Sequence, residues 1–112
     1  MKTEAKHEKE VTIIAVRGGI DALTAPELAR AIVDQIAEGH VYLVIDLTGA
    51  EFMSSAGLHI LFDGVKETRA QGGDLRVVTT DPEIDKVLKM SGFHNVARVF
   101  ISESDALARF GS

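Results

Sequence analysis

Apolar segments with two different periodicities alternate along the chain, and this alternation restricts the folds that it can adopt. Short runs such as VTIIAV (residues 11–16) and VYLVIDL (residues 41–47) are apolar on both faces, as strands covered on both sides of a sheet are. Between such runs lie longer segments with an apolar residue at every third or fourth position, which is typical of amphipathic helices. Helical connections between buried strands indicate an α/β fold with a mainly parallel sheet and right-handed crossovers.

The predicted order of elements is β-β-α-β-α-β-α-β-α, in a mixed, mainly parallel sheet of four or five strands with about four helices. The polar segment before Val11 is predicted to be an edge strand, joined to the next strand by a turn at Glu8, Lys9 and Glu10. Thr24 and Glu27 have capping-box spacing at the start of the first helix. The predicted helices lie within residues 24–39, 55–71, 81–92 and 102–110, and the later strands at 74–78 and 97–101. We expect a single domain over residues 1–112, with a core from about residue 5 to 110.

Composition excludes several classes of function. The 12 basic residues are scattered among 17 acidic ones, giving a net charge of −5, so a nucleic-acid partner is not expected. There is no cysteine, and the four histidines lack metal-ligand spacing, so we expect no metal and no cofactor. No stretch approaches the roughly 18 apolar residues of a membrane span, and the N-terminus lacks a secretory signal. The sequence therefore predicts a cytoplasmic protein with no membrane partner.

Polar residues follow two neighbouring strands of the predicted sheet. In a parallel sheet, functional loops lie beyond the carboxyl ends of the strands. Asp21 follows the second strand, and Asp46, Ser54 and Ser55 follow the third. We therefore expect Asp21 and Asp46 to approach the two serines on one edge of the molecule.

Each of these residues also has a structural interpretation. A serine before an apolar helix is usually an N-cap, although the same helix end would also stabilise a phosphate added to it. Stabilising a loop explains Asp46 as well as a functional role does. Asp21 is explained as well by a position in a turn as by contact with a partner. A hydrolase nucleophile would need G-x-S-x-G, which MSSAG lacks, and His59 is better explained as a solvated helix residue than as a base. We therefore predict no enzymatic activity.

Several segments together resemble one family. RGGIDALTAPEL (residues 17–28) is similar to the segment G-E-L-D-x-x-T-A-P-x-L of STAS domains. VIDLTGAEFMSSAGLHIL (residues 44–61) is similar to the strand, loop and helix whose common form is D-L-S-x-x-x-F-[MI]-D-S-[ST]-G-L. GGDLRVV, SGF and ESDALARF follow in the family order. The chain thus resembles, over nearly its whole length, the STAS domain of anti-sigma factor antagonists.

This resemblance implies a phosphorylation site. When Gly57 is matched to the glycine of D-S-[ST]-G, Ser55 takes the position of the serine that is phosphorylated in the family. Ser54 then stands where the family commonly has Asp, and its hydroxyl makes it an alternative acceptor. Ala56 stands where the family has Ser or Thr.

The resemblance also implies partners and a function. Unphosphorylated, such a protein binds an anti-sigma factor that is also a serine kinase, which releases the sigma factor; phosphorylation ends the binding, and a phosphatase resets the switch. The expected partner-binding residues are Asp21, Thr24, Asp46, Ser54, Ser55, Ala56 and Gly57. The alternative is a STAS scaffold or small-ligand module that is not phosphorylated, such as an accessory subunit of a transport complex.

Overall fold

A computed structural model describes residues 1–108 and 110 as a five-stranded sheet with helices on both faces. The strands are β1 (Lys2–Glu8), β2 (Val11–Ile20), β3 (Tyr42–Met53), β4 (Asp74–Val78) and β5 (Val99–Phe100). The helices are α1 (Ala25–Ala37), α2 (Ser55–Ala70), α3 (Pro82–Met90), α4 (Phe93–Val96) and α5 (Glu103–Ala108).

The strand order across the sheet is the same as the order along the chain, β1-β2-β3-β4-β5. β1 pairs antiparallel with β2 through a turn in which Lys9 has a φ of 58°, and the other neighbours are parallel. The predicted mixed, mainly parallel sheet with an antiparallel edge strand is therefore confirmed.

The helices differ from the prediction in number. The sequence predicted about four, and the described residues form five, because α4 is a separate single turn that follows Gly92. Phe93 anchors this turn in the core, and its ring meets that of Phe62 edge-on with the centroids 5.2 Å apart. Four residues are too few to show helical periodicity. The helix predicted within residues 102–110 runs over Glu103–Ala108, and Arg109 lies outside the described residues.

β2 and β3 are longer than predicted. The segments read as loops after residues 16 and 47 continue the two strands, which pair from Arg17 opposite Gly49 to Ile20 opposite Met53. β4 pairs only with residues 42–46 of β3, so the last part of β2 and β3 projects past it. We call residues 17–20 and 49–53 the β2–β3 extension. Its register is irregular beside Gly18, whose φ of 90° is readily adopted only by glycine.

Two hydrophobic clusters lie on opposite faces of the sheet. The larger contains alternate strand residues such as Ile14 and Ile45 and is covered by apolar residues of α1–α4. The smaller surrounds Ile13 and Val44 and is covered by Ala106 of α5. Both central strands are thus buried on both faces, as their sequences predicted. Within the described residues, no helix combines the length and the apolar character needed to cross a bilayer.

Candidate functional site

The end of the β2–β3 extension carries most of the predicted site. The backbone N–H of Ser54 donates to the carbonyl of Ile20 at 2.8 Å, which fixes the start of α2 beside the turn that follows β2. The predicted residues that meet at this edge are called the Ser55 rim: Asp21, Thr24, Ser54, Ser55, Ala56 and Gly57.

Asp21 and Thr24 form a closed network in the turn before α1. The Asp21 carboxylate accepts from the backbone N–H groups of Leu23 at 2.9 Å and Thr24 at 3.0 Å. The Thr24 hydroxyl donates to the carbonyl of Gly19 at 2.9 Å and accepts from the backbone N–H of Asp21 at 2.9 Å. The hydrogen bond from the Thr24 backbone is the main influence that keeps the pKa of Asp21 below its ordinary value. Asp21 is therefore an ionised turn residue.

The predicted capping box at Thr24 and Glu27 is wrong. In the described part of the chain, the Thr24 side chain forms no capping hydrogen bond, and the backbone N–H of Glu27 donates instead to the Thr24 carbonyl at 2.9 Å. The reason is that the Thr24 hydroxyl is already engaged by Gly19 and Asp21, which tie the turn to β2.

Ser54 occupies the N-cap position of α2 without acting as a cap. Its backbone is extended, with a φ of −86° and a ψ of 175°, and its side chain makes no capping hydrogen bond. The Oγ atom is buried and finds no hydrogen-bond partner among the described residues. The alternative of Ser54 as a phosphate acceptor is therefore contradicted in this conformation, because a kinase needs access to that oxygen.

Ser55 is the first residue of α2, and it is exposed. Gly57, two residues later, is buried, and a Cβ atom there would lie 2.6 Å from Cγ2 of Ile20 and 2.8 Å from Cγ of Met53. This close packing presses the first turn of α2 against the ends of β2 and β3, with Ala56 partly covered and Ser55 turned outward.

The N-terminus of α2 lacks the acidic side chains that are found at the N-termini of α1 and α3. α1 has Glu27 in its first turn, and α3 has Glu83 and Asp85 there as well as an Asp81 side chain that caps it. α2 has no acidic residue in its first turn. The partial positive charge of its free N–H groups is consequently not offset by a carboxylate within the helix.

Two exposed apolar side chains flank the Ser55 rim, and neither was among the site residues predicted from the sequence. Leu23 is 88% exposed and Phe52 is 49% exposed. The Phe52 ring lies so close over Gly19 that a side chain at that position would collide with it. The exposure of Leu23 is indicated by the sequence, because this apolar residue lies in the turn before α1 and outside the apolar stripe of that helix.

Asp46 does not reach the rim, so the prediction that it lies beside Ser55 is wrong. It pairs with Ala15 and Val78 in the middle of β3, which continues for seven more residues to Met53. At about 3.3 Å per residue, these seven residues place Met53, the residue before Ser54, roughly 23 Å from Asp46. The loop that would have turned Asp46 toward Ser55 is part of a strand.

Asp46 instead connects β3 to α5. Its carboxylate accepts from the backbone N–H of Thr48 at 2.9 Å and shares a side-chain hydrogen bond with Glu103. Burial acts to raise the pKa of Asp46, but the hydrogen bonds outweigh it and hold this pKa below the ordinary value. Lys6 of β1 completes the group through an ion pair with Glu103 at 2.9 Å. Among the described residues, this group included, no three His, Asp or Glu residues come close enough to hold a metal ion.

Comparison with known proteins identifies the family. Residues 2–106 match the STAS domain family, so the chain belongs to it. The chain is 33% identical over 97 residues to the anti-sigma-F factor antagonist RsfB of Mycobacterium tuberculosis, covering 87% of this chain and 79% of RsfB.

Solved structures agree with this assignment. An anti-sigma factor antagonist from Mycobacterium paratuberculosis has 31% sequence identity and a TM-score of 0.89, covering 96% of this chain and 91% of its own. The anti-sigma factor antagonist SpoIIAA of Bacillus shares the fold at 20% identity. Its unphosphorylated form has a TM-score of 0.82 and covers 96% of this chain and 95% of its own. Its phosphorylated form has a TM-score of 0.75 and covers 96% and 98%.

Proposed function

We propose that this chain is an anti-sigma factor antagonist whose binding is controlled by phosphorylation of Ser55. Unphosphorylated, the Ser55 rim binds an anti-sigma factor that is also a serine kinase, and this binding frees the sigma factor. Phosphorylation ends the complex, and a phosphatase restores it. The chain itself is a binding partner and a kinase substrate, without catalysis of its own.

The observation that carries the proposal is the exposed residue Ser55 at the start of α2, within a chain of this family. RsfB and the Mycobacterium paratuberculosis protein are named anti-sigma factor antagonists. SpoIIAA has been solved in both an unphosphorylated and a phosphorylated form. A protein with this fold can thus exist in the two states that the proposal requires.

The apolar side chains beside the rim support binding of the unphosphorylated state. Burying a Leu or Phe side chain completely is worth about 1.5 to 3 kcal/mol. Leu23 is almost fully available for such burial, and Phe52 is half available. A partner that covers both therefore gains affinity directly next to Ser55.

Charge repulsion explains how phosphorylation would end the binding. Phosphate adds about −1.5 to −2 charges. Opposite a partner carboxylate at about 4 Å and an effective dielectric near 20, each added charge costs about 4 kcal/mol before screening. A third of that cost already weakens binding roughly tenfold.

The position of Ser55 allows the same phosphate to leave the domain folded. The N–H groups at the start of α2 face the added charge, and the first turn contains no acidic residue that would repel it. The phosphate is thus placed where it affects the complex more than the fold.

A capture experiment tests the proposal. The immobilised chain is incubated with lysate of the source organism, washed and supplied with ATP and Mg²⁺, and phosphate is mapped by mass spectrometry. We expect phosphate on Ser55 together with release of the bound kinase. Ser55→Ala should capture the kinase and retain it after ATP is added. Ser104→Ala removes an exposed serine of α5 and should behave like the wild-type chain.

The opposite result would be a bound kinase that leaves Ser55 unmodified or phosphorylates a different residue. That outcome would contradict the switch and favour the scaffold that is not phosphorylated.

A further inference from the structure

His59 lies one helical turn after Ser55 on the exposed surface of α2, and the proposed switch assigns it no role. Side chains four positions apart on a helix are neighbours, with their Cβ atoms about 5–6 Å apart. Helical side chains also lean toward the N-terminus of their helix. The His59 ring is therefore directed over the turn that begins with Ser55.

The His59 ring has no competing partner among the residues that the structure describes. In residues 1–108 and 110 it forms no hydrogen bond and no ion pair. The other three histidines each hydrogen-bond a side chain: His7 to Thr12 at 2.8 Å, His40 to Gln35 at 2.8 Å and His94 to Asp85 at 2.9 Å. His59 is thus free to contact a group added at Ser55.

The nearest competitor on the same helix lies on the other side of His59. Asp63 is also exposed and follows His59 by four residues. In helical ion pairs the orientation with the acidic residue before the basic one is the stronger, which favours a phosphate on Ser55 over the Asp63 carboxylate. A phosphate also carries more charge and more acceptor oxygens than a carboxylate.

We propose that His59 is a positioning residue that donates a hydrogen bond to the phosphate on Ser55 and holds it against the N-terminus of α2. This inference rests on the proposed function, because it requires that phosphate. The contact stabilises the doubly charged phosphate, which is the form that repels the partner most strongly. Near neutral pH, His59 thereby increases the fraction of the phosphorylated chain that is dissociated from its partner.

The test uses the full chain with phosphoserine installed at position 55 during synthesis, so that no cellular kinase is needed. The phosphorus NMR shift is followed across the second ionisation of the phosphate, which occurs near pH 6 in a free phosphoserine. We expect the midpoint of His59→Gln to lie roughly 0.2 to 0.4 pH above that of the chain with His59. His59→Lys, which restores a cation, should lower the midpoint again, to the original value or below it.

Lys66→Gln is the matched control, since it removes a positive charge from the exposed surface of α2 about three turns beyond Ser55. Its midpoint should stay unchanged. Equal midpoints with and without His59 would overturn the inference, as would a shift in Lys66→Gln as large as that in His59→Gln. Lack of phosphate on Ser55 in the capture experiment would instead remove the proposed function and leave this measurement intact.

Discussion

Ser54 demonstrates that a serine at the N-cap position need not stabilise its helix. Capping requires a side-chain oxygen that accepts an N–H bond from the first turn, and in the described part of the chain Ser54 accepts none. Its Oγ atom is instead buried, and no described residue forms a hydrogen bond with it. A buried hydroxyl without a hydrogen bond costs free energy, so the side chain works against stability at this site.

The first prediction follows from this burial. Ser54→Ala removes the unpaired hydroxyl, and we expect the free energy of unfolding to remain equal or to increase slightly. Asp81→Ala is the matched control, because the Asp81 carboxylate accepts from the backbone N–H of Glu83 at 2.8 Å at the start of α3. That change should cost about 0.5 to 2 kcal/mol. Urea denaturation measures both, and an equal loss in the two variants would mean that Ser54 is a true cap.

Residue-level properties were only partly predictable. The strand–turn–helix pattern correctly placed Ser55 at the start of α2, because an apolar periodic segment follows it. The opposite orientations of Ser54 and Ser55 could not be predicted, since they depend on the bond between the Ser54 N–H and the carbonyl of Ile20, 34 positions earlier. Propensities describe local conformation, and this contact is not local.

At the level of elements, the packing of α2 against the sheet depends on Gly57. We expect Gly57→Ala to destabilise the domain by about 1 to 2 kcal/mol. Overpacking costs about 1 to 3 kcal/mol, and the higher helix propensity of alanine offsets up to about 1 kcal/mol of this. The cause is the close approach of the new Cβ to Ile20 and Met53.

The neighbouring variant Ser55→Ala is the control for Gly57→Ala, since Ser55 is exposed on the same turn. It should change stability by less than about 0.5 kcal/mol. Denaturant unfolding compares the two variants. Equal stability of Gly57→Ala and the wild-type chain would contradict the close packing of this turn.

The β2–β3 extension explains the largest error at the level of elements. RGG and TGAEF contain the glycines typical of loops, so the strands were predicted to end before them. In the structure the two segments pair with each other, and Gly18 takes up the irregularity in the register. Strand pairing supplies the hydrogen bonds that local propensity does not, and Asp46 is thereby kept away from Ser55.

At the level of the whole molecule, Lys6, Asp46 and Glu103 join the edge strand β1, the central strand β3 and the helix α5. Hydrogen bonding to Asp46 is the main cause of a raised pKa for Glu103. Between the ordinary pKa and this raised pKa, the folded chain therefore keeps a proton on Glu103 that the unfolded chain has lost. This contribution to stability is complete below the ordinary glutamate pKa of 4.5, and it declines as the pH rises through the raised pKa of Glu103.

The third prediction concerns the ion pair that offsets this decline. Above the raised pKa, Glu103 is ionised beside Asp46, and the Lys6 ammonium at 2.9 Å balances the repulsion. We expect Lys6→Gln to lower the urea midpoint more at about pH 7 than at about pH 4. Lys2→Gln on the same strand should have similar, small effects at both. A pH-independent loss in Lys6→Gln would contradict this account.

The overall architecture was the most predictable level. Buried β-branched runs separated by amphipathic segments were sufficient to predict the mainly parallel sheet and the order of most elements. The polar segment before Val11 and the turn that follows it predicted the antiparallel edge strand. The single turn α4 was not predictable, because the tertiary burial of Phe93 defines it rather than any periodicity.

The pairing of the β2–β3 extension has a consequence for the kinetics of association. Chain segments that carry a docking surface usually lose conformational entropy when a partner immobilises them. Here the backbone from Arg17 to Ile20 is already fixed to the backbone from Gly49 to Met53, and the following turn is closed by Asp21. In the proposed complex, docking is then close to a rigid-body encounter, so differences in affinity among variants of this surface should appear mainly in the lifetime of the complex.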